Sequence, residues 1–212
     1  MATSAFTTWL PEVIPNAPGC PEVLAINAIR NASIEWCNAT NWWQGDYGTT
    51  AITTAILPYS FVNATGVMVT QVLVATYNGA PLAVTSIEEL DSKVVGWRTA
   101  TGQPTAIFQP THSVVDFYPR PAGTDSYNIF MRVAYTPLRS ATVIDATVRE
   151  AYLEDIAAGA LSRLLSMPGK PWTNEQAAAS YDNTFKSSKV LGAIQASNSY
   201  GLASRHIQFR DF

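Results

Sequence analysis

The sequence predicts an α+β protein: a small antiparallel helical bundle with an all-β domain inserted between the first and second long helices. Apolar residues recur at helical spacing in two separate regions, residues 20–44 and 138–197. Between them no charged residue occurs from Tyr47 to Ile87, a segment rich in Thr, Val, Ala and Ile. We therefore expect residues 20–44 and 138–197 to form the bundle and residues 45–137 to form the β domain.

The chain is expected to begin with an extended arm, residues 1–19, because prolines interrupt this apolar segment. A first helix is predicted from about Cys20 to Asn38, with Pro21 at a first helical position where the missing amide would be unpaired anyway. Cys20 and Cys37 lie too far apart along this helix to bridge each other. Both are expected to be free, buried thiols in a reducing compartment.

The inserted domain carries a clear hairpin signal. Val67–Tyr77 and Leu82–Val84 flank Asn78-Gly79, a dipeptide that accepts the two positive φ angles of a tight turn. Ser86 and Glu89 are then expected to bracket a single helical turn. Two further strands are predicted, at 113–118 and 127–135. The second alternates in polarity, which indicates two different environments for its faces.

The C-terminal region predicts two helices that form an antiparallel hairpin. Asp145 begins the first helix, and Met167-Pro168-Gly169 ends it. Thr173 followed by Gln176 has the spacing of a capping box, which starts the second helix. Each helix has an apolar face, and a hairpin cannot bury both faces, so the first long helix is the expected third partner. The two faces consist of Val148, Tyr152, Ile156, Gly159, Ala160 and Leu164, and of Ala178, Tyr181, Phe185 and Gly192.

The composition favours a subunit of a larger assembly over an enzyme. Charged residues make up 14% of the 212 residues and hydrophobic residues 47%, against a usual charged fraction of about 25%. So little charge favours large subunit contacts, and we expect Val69 and Val72 to lie at one of them. The net charge of −3 offers no basic surface for nucleic acid. With only His112 and His206, and no catalytic motif, we expect no catalytic residues, no cofactor and no metal.

No run of about 18 apolar residues occurs, and the first residues lack the pattern of a secretory signal. The sequence therefore predicts no membrane partner and synthesis in the cytoplasm. Residues 198–212 lack helical periodicity and are expected to form a docking tail that becomes ordered on a partner. Apolar and charged side chains alternate there, a pattern that fits a groove with an acidic rim. The proposed docking residues are Arg205, Ile207, Phe209, Arg210 and Phe212.

Several segments resemble the head-to-tail adaptor, or connector, proteins of tailed bacteriophages, a family that includes tail tubular protein A. They are Ala17-Pro18-Gly19-Cys20-Pro21, Ala28-Ile29-Arg30, Gly102-Gln103-Pro104, Phe117-Tyr118-Pro119-Arg120-Pro121, Tyr152 to Leu165, and Met167-Pro168-Gly169-Lys170-Pro171-Trp172. The resemblance covers most of the chain and rests on packing and turn residues. It implies a structural virion protein of the neck between head and tail, a homo-oligomeric ring of about twelve subunits. It also implies a portal protein on one side, a tail or nozzle protein on the other, and a channel through which DNA passes without specific binding.

Two other functions fit parts of the sequence. The neutral β segment and the aromatic content also suit a β-sandwich carbohydrate-binding or depolymerase module of a phage tail, although the helical hairpin would then have no role. A small cytoplasmic enzyme would require a perturbed carboxylate in a deep pocket. The mass in solution separates these alternatives from a ring.

Overall fold

The computed structural model describes residues 2–52, 58–122 and 127–198, and these ranges contain both helices and strands. The helices are α1 (Leu10–Val13), α2 (Glu22–Thr40), α3 (Ile87–Lys93), α4 (Ala146–Leu165) and α5 (Glu175–Ser197). The strands are β1 (Thr3–Ala5), β2 (Gln44–Ile52), β3 (Tyr59–Ser60), β4 (Val67–Tyr77), β5 (Ala80–Thr85), β6 (Ala106–Thr111), β7 (Val114–Tyr118), β8 (Tyr127–Pro137) and β9 (Val143–Asp145). The predicted α+β class is confirmed.

Seven of the strands form one curled sheet in the order β2-β8-β4-β5-β6-β7-β3. All neighbours are antiparallel except β5 and β6. The curl brings the two outer strands together, because the ring of Tyr47 in β2 lies 4.9 Å from Phe61 and 6.4 Å from Tyr59. The Tyr47 hydroxyl also accepts a hydrogen bond from the amide of Val62. Aromatic side chains therefore bridge the two ends of the sheet.

Local turn chemistry behaves as the sequence predicts at the β4–β5 hairpin. Asn78 and Gly79 have φ angles of 49° and 82°, and Tyr77 pairs with Ala80 across a two-residue loop. The alternation in β8 is confirmed as well, since Ile129, Met131 and Val133 are buried on one face. Strand β6 was not predicted, because Gln109 and Pro110 break its apolar pattern.

The sheet encloses one hydrophobic core and the helices form another. The sheet core contains Tyr59, Phe61, Val69, Val72, Ala75, Tyr77, Leu82, Ile107, Val115, Phe117, Ile129, Met131 and Val133. Helices α2, α4 and α5 pack together around the second core, and the side chain of Tyr135 contacts both cores. The predicted apolar faces of α4 and α5 point into this second core. Cys20 and Cys37 are free and buried, as predicted.

The N-terminal segment corrects one prediction. Residues 1–19 were expected to be extended, but Phe6–Trp9 and Ile14–Asn16 form 3₁₀ turns on either side of α1. Pro11 and Pro15 occupy first-turn positions, where the absent amide costs no helical hydrogen bond. The segment is also part of the helical core, since Trp9 and Val13 are fully buried.

Helix starts are close to prediction, with two shifts. Pro21 has an extended backbone and is the N-cap of α2, not its first helical residue. Asp145 caps α4 by accepting a hydrogen bond from the Thr147 amide at 2.8 Å. The cap of α5 is Asn174, whose side chain accepts from the Ala177 amide at 3.0 Å, and not Thr173. The Thr173 hydroxyl instead donates to the Met167 carbonyl and thereby closes the turn between α4 and α5.

Two glycines allow the helices to approach closely. A Cβ atom at Gly159 in α4 would lie 2.6 Å from the ring of Phe185 in α5. A Cβ atom at Gly192 in α5 would lie 2.8 Å from Trp36 and 2.9 Å from Thr40, both in α2. Contact at these distances is far inside van der Waals separation, so only glycine permits the observed packing of α5 against both other helices.

We expect Gly192→Ala to lower the free energy of unfolding by about 1–3 kcal/mol, because overlap with the buried Trp36 ring outweighs the gain in helix propensity. Chemical denaturation measures the effect. Ser187→Ala, at an exposed position of the same helix, is the matched control and should be neutral or slightly stabilising. Equal stability of Gly192→Ala and the wild type would show that α2 and α5 are not so closely packed.

Candidate assembly surface

The structure places the two predicted interface valines inside the sheet. Val69 and Val72 are 0% and 2% exposed, and both pack in the sheet core. The Val72 amide donates to the Gln109 side-chain carbonyl at 3.2 Å, so even the backbone here is satisfied within the subunit. These side chains are therefore in position to stabilise the sheet, and a subunit contact has to use other residues.

The predicted docking residues of the tail lie outside the described residues. They are Arg205, Ile207, Phe209, Arg210 and Phe212. The structure shows where the preceding helix ends: α5 ends at Ser197, and Asn198 is its C-cap.

The described ranges contain no group of three or more His, Cys, Asp or Glu side chains able to hold a metal ion. None of the described helices combines the length and apolar character needed to cross a membrane. His112 lies beside an open depression and is exposed. The surface of the described residues also carries exposed apolar side chains.

One side of α5 groups three exposed large apolar side chains. Val190, Leu191 and Ile194 are 61%, 60% and 49% exposed. Their spacing places them on one side of the helix, next to the buried Gly192. Toward the start of α5 the same side continues through exposed Ser180, Asn183, Thr184 and Ser187, none of which carries a charge. We call these seven residues the outer face of α5.

Ion pairs keep the charged residues of α5 away from this face. Lys189 pairs with Glu35 of α2 at 2.5 Å, and Lys186 pairs with Asp182 at 2.5 Å. The Lys189 ammonium also lies 4.7 Å from the Phe185 ring centre, over a core side chain. These contacts leave the outer face without charge, so covering it with protein would desolvate no ion, while its hydroxyl and amide groups would need hydrogen-bond partners.

A groove between α4 and α5 borders the outer face. Its volume is about 660 Å³, and it is lined by polar, uncharged residues together with Tyr152, Leu191 and a single carboxylate, Asp155. Burial, and secondarily the charge of Glu154, raise the pKa of Asp155. Such a groove, with hydroxyl groups, one acid and an apolar border, is suited to protein contact.

Aromatic packing shapes one end of this groove. Helix α4 departs from helical geometry at Tyr152, where φ is −136° and ψ is 32°. The Tyr152 ring lies 4.2 Å from Trp36 and 5.2 Å from Trp42, and its hydroxyl is hydrogen-bonded to the Gln195 side chain. The groove is thus held by all three long helices. The sequence prediction missed the outer face, although Val190, Leu191 and Ile194 fall beside the predicted buried positions at a helical spacing that marks a second apolar side.

Comparison with known proteins adds one finding. A family model described as SU10 adaptor protein matches residues 3–206. No curated protein matches the chain.

We expect Val69→Asp and Val72→Asp each to lower the free energy of unfolding by more than about 3 kcal/mol, because each buries an unpaired carboxylate in the sheet core. Val74→Asp is the matched control, since Val74 lies in the same strand but is 50% exposed, and it should cost less than about 1 kcal/mol. Thermal unfolding followed by circular dichroism measures all three. Normal stability of Val69→Asp together with lost assembly would support the original subunit-contact hypothesis.

Proposed function

Since the chain belongs to the SU10 adaptor protein family, we propose that it forms a ring that binds the portal, joins it to the tail and leaves a channel for DNA. Membership supports a phage structural adaptor that is a component of the virion. The absence of catalytic activity is part of the proposal. The position in the neck, a ring of about twelve copies and a closer likeness to the tail tubular A proteins are parts of the proposal.

The observation that carries the proposal is the uncharged outer face of α5. Leaving Val190, Leu191 and Ile194 in water costs about 25 cal/mol for each Å² of apolar surface. Apolar surface grouped on one helix side is typical of a protein contact. If this face meets a different surface of the next copy, the contact is heterologous, and repeated heterologous contacts close into a ring when the rotation between copies permits.

We include in the proposal a division of labour within the chain. Residues 20–44 and 138–197 form the bundle that makes the ring contacts, and residues 45–137 form an inserted β domain. Two observations support it: the sheet and the helices have separate hydrophobic cores, and α2, α4 and α5 contact one another although the sheet separates them in sequence. Residues 1–19 belong with the bundle, since Trp9 packs there.

The charge of the chain and the position of its C-terminal segment support the proposed neighbours. A net charge of −3 on each copy gives DNA phosphates no cationic surface to bind, which suits a channel for passage. Residues 198–212 continue from the end of α5 and carry Arg205 and Arg210 among apolar side chains. We propose that this segment binds the portal, with the tail or nozzle protein at the opposite side of the ring.

A carbohydrate-binding module has less support. Sugar platforms use exposed aromatic rings, whereas Trp9, Trp36, Trp43 and Trp172 are all at least nine-tenths buried. These residues stabilise the helical core, so no observation favours that second function.

We expect the wild type to form a ring near twelve copies and the double variant Leu191→Asp, Ile194→Asp to be a folded monomer, because two carboxylates on the outer face cannot be desolvated without partners. Mass photometry and analytical ultracentrifugation measure the species. Val95→Asp is the control, since Val95 is fully exposed and distant in sequence from α5. A monomeric wild type at every concentration would contradict ring formation by this protein alone.

We expect deletion of residues 204–212 to leave the ring intact but to abolish attachment to portal-bearing heads, because the deleted segment contains all five proposed docking residues. Electron microscopy of assembled heads and co-sedimentation measure attachment. Replacing the same residues with a Gly/Ser segment of equal length controls for chain length. Normal attachment of the deleted form would transfer the portal contact to the N-terminal segment or the bundle.

A further inference from the structure

The groove between α4 and α5 holds a negative charge that no described residue of its own subunit neutralises. Within residues 2–52, 58–122 and 127–198, Asp155 forms no ion pair and no hydrogen bond. It is half-buried, and the only charged neighbour that affects its pKa is Glu154, which is also acidic. A cation from outside the subunit would therefore be attracted to Asp155.

Nearly every cation among the described residues already has a partner. The pairs are Lys93–Glu89, Arg98–Asp91, Arg120–Asp116, Arg132–Asp46, Arg149–Glu150, Arg163–Glu35, Lys186–Asp182 and Lys189–Glu35, while Arg30 donates to the Ala141 carbonyl. In this part of the chain the side chains of Arg139 and Lys170 are the exceptions. Arg139 is exposed in the loop between β8 and β9, and Lys170 lies in the loop between α4 and α5.

The loop that carries Arg139 lies on the side of the subunit occupied by the N-terminal segment. Arg30 connects the two, since its Nε donates to the Ala141 carbonyl at 2.8 Å and its guanidinium lies 5.7 Å from the Phe6 ring centre. On α4, Arg149 faces the same segment through a 2.9 Å hydrogen bond to Thr8.

Asp155 lies on a different side of α4. Asp155 lines the groove together with Leu191 of α5, whereas Arg149 contacts the N-terminal segment. Arg139 and Asp155 are therefore on different surfaces of one subunit, as a heterologous contact between copies requires. Lys170 is less suitable, because it belongs to the α4–α5 hairpin that also forms the groove.

We propose that the α4–α5 groove docks a second copy of this chain, with Asp155 of one subunit paired with Arg139 of the next. The inference rests on the proposed ring and specifies its subunit contact. Leu191, at the border of the groove, would be covered by the same contact. The pair sets the register between copies. Any other register would leave the half-buried carboxylate unpaired in an otherwise uncharged groove, which costs free energy.

The test is charge reversal. Asp155→Arg and Arg139→Asp should each give a folded protein whose assembly requires at least about tenfold higher concentration. The double variant should recover most of the wild-type assembly, because the pair is restored with opposite polarity. Lys170→Asp is the matched control, since it makes the same change of charge at an exposed position, and it should assemble normally. Circular dichroism verifies folding, and mass photometry measures assembly.

The outcomes separate this inference from the proposed function. If the wild type forms rings and neither single reversal weakens them, or if the double variant is no better than the singles, the pairing is overturned while the ring stands. If deletion of residues 199–212 weakens rings as Asp155→Arg does, the groove binds that segment instead and the pairing is likewise overturned. If the wild type forms no ring, the proposed function itself fails.

Discussion

The close approach of α5 to α2 and α4 is the constraint on which the rest of the helical half depends. It requires glycine at 159 and 192, since a Cβ atom at either would overlap Phe185 or Trp36. Because α5 packs so closely against α4, the Phe185 ring fills the space above Gly159. Its close packing against α2 brings Lys189 within ion-pair distance of Glu35. The same packing leaves the opposite side of α5, with Val190, Leu191 and Ile194, exposed to solvent. The buried contact and the exposed face are thus two consequences of one packing arrangement.

Charge distribution explains why the exposed face suits assembly. Most cations of the described chain are used in pairs with acids of the same subunit, and Glu35 alone binds Arg163 and Lys189. This leaves the outer face of α5 neutral and Asp155 without a partner in its groove. Apolar surface supplies free energy for association, and an unpaired charge supplies specificity. A ring adaptor needs both, because each copy must meet the next in one orientation.

Features that depend on a few neighbouring residues could be predicted from the sequence. Asn78-Gly79 forms the predicted turn because its φ angles are a property of two residues. Asp145 caps α4 for the same reason, because its side chain accepts a hydrogen bond from the amide of Thr147, only two residues later. By contrast, β6 escaped prediction, because Gln109 and Pro110 break its apolar pattern and its parallel partner β5 lies on the other side of α3 in the sequence. The 3₁₀ turns of residues 6–16 also escaped, since their burial on α2 and α4 outweighs the extended tendency of a proline-rich segment.

The sequence by itself determined the α+β class, the three long helices, their buried sides and the main hairpin, because periodicity and turn chemistry act over a few residues. Only the tertiary structure decided which valines are accessible. Val69 and Val72 lie in a neutral strand like Val74, yet the first two are buried and the third is exposed, because the pairing of β4 with β8 shifts register between Val69 and Gln71 and again between Val72 and Val74. It also decided that Asp155 has no ion-pair partner among the described residues, since pairing depends on which distant side chains the fold brings within about 4 Å.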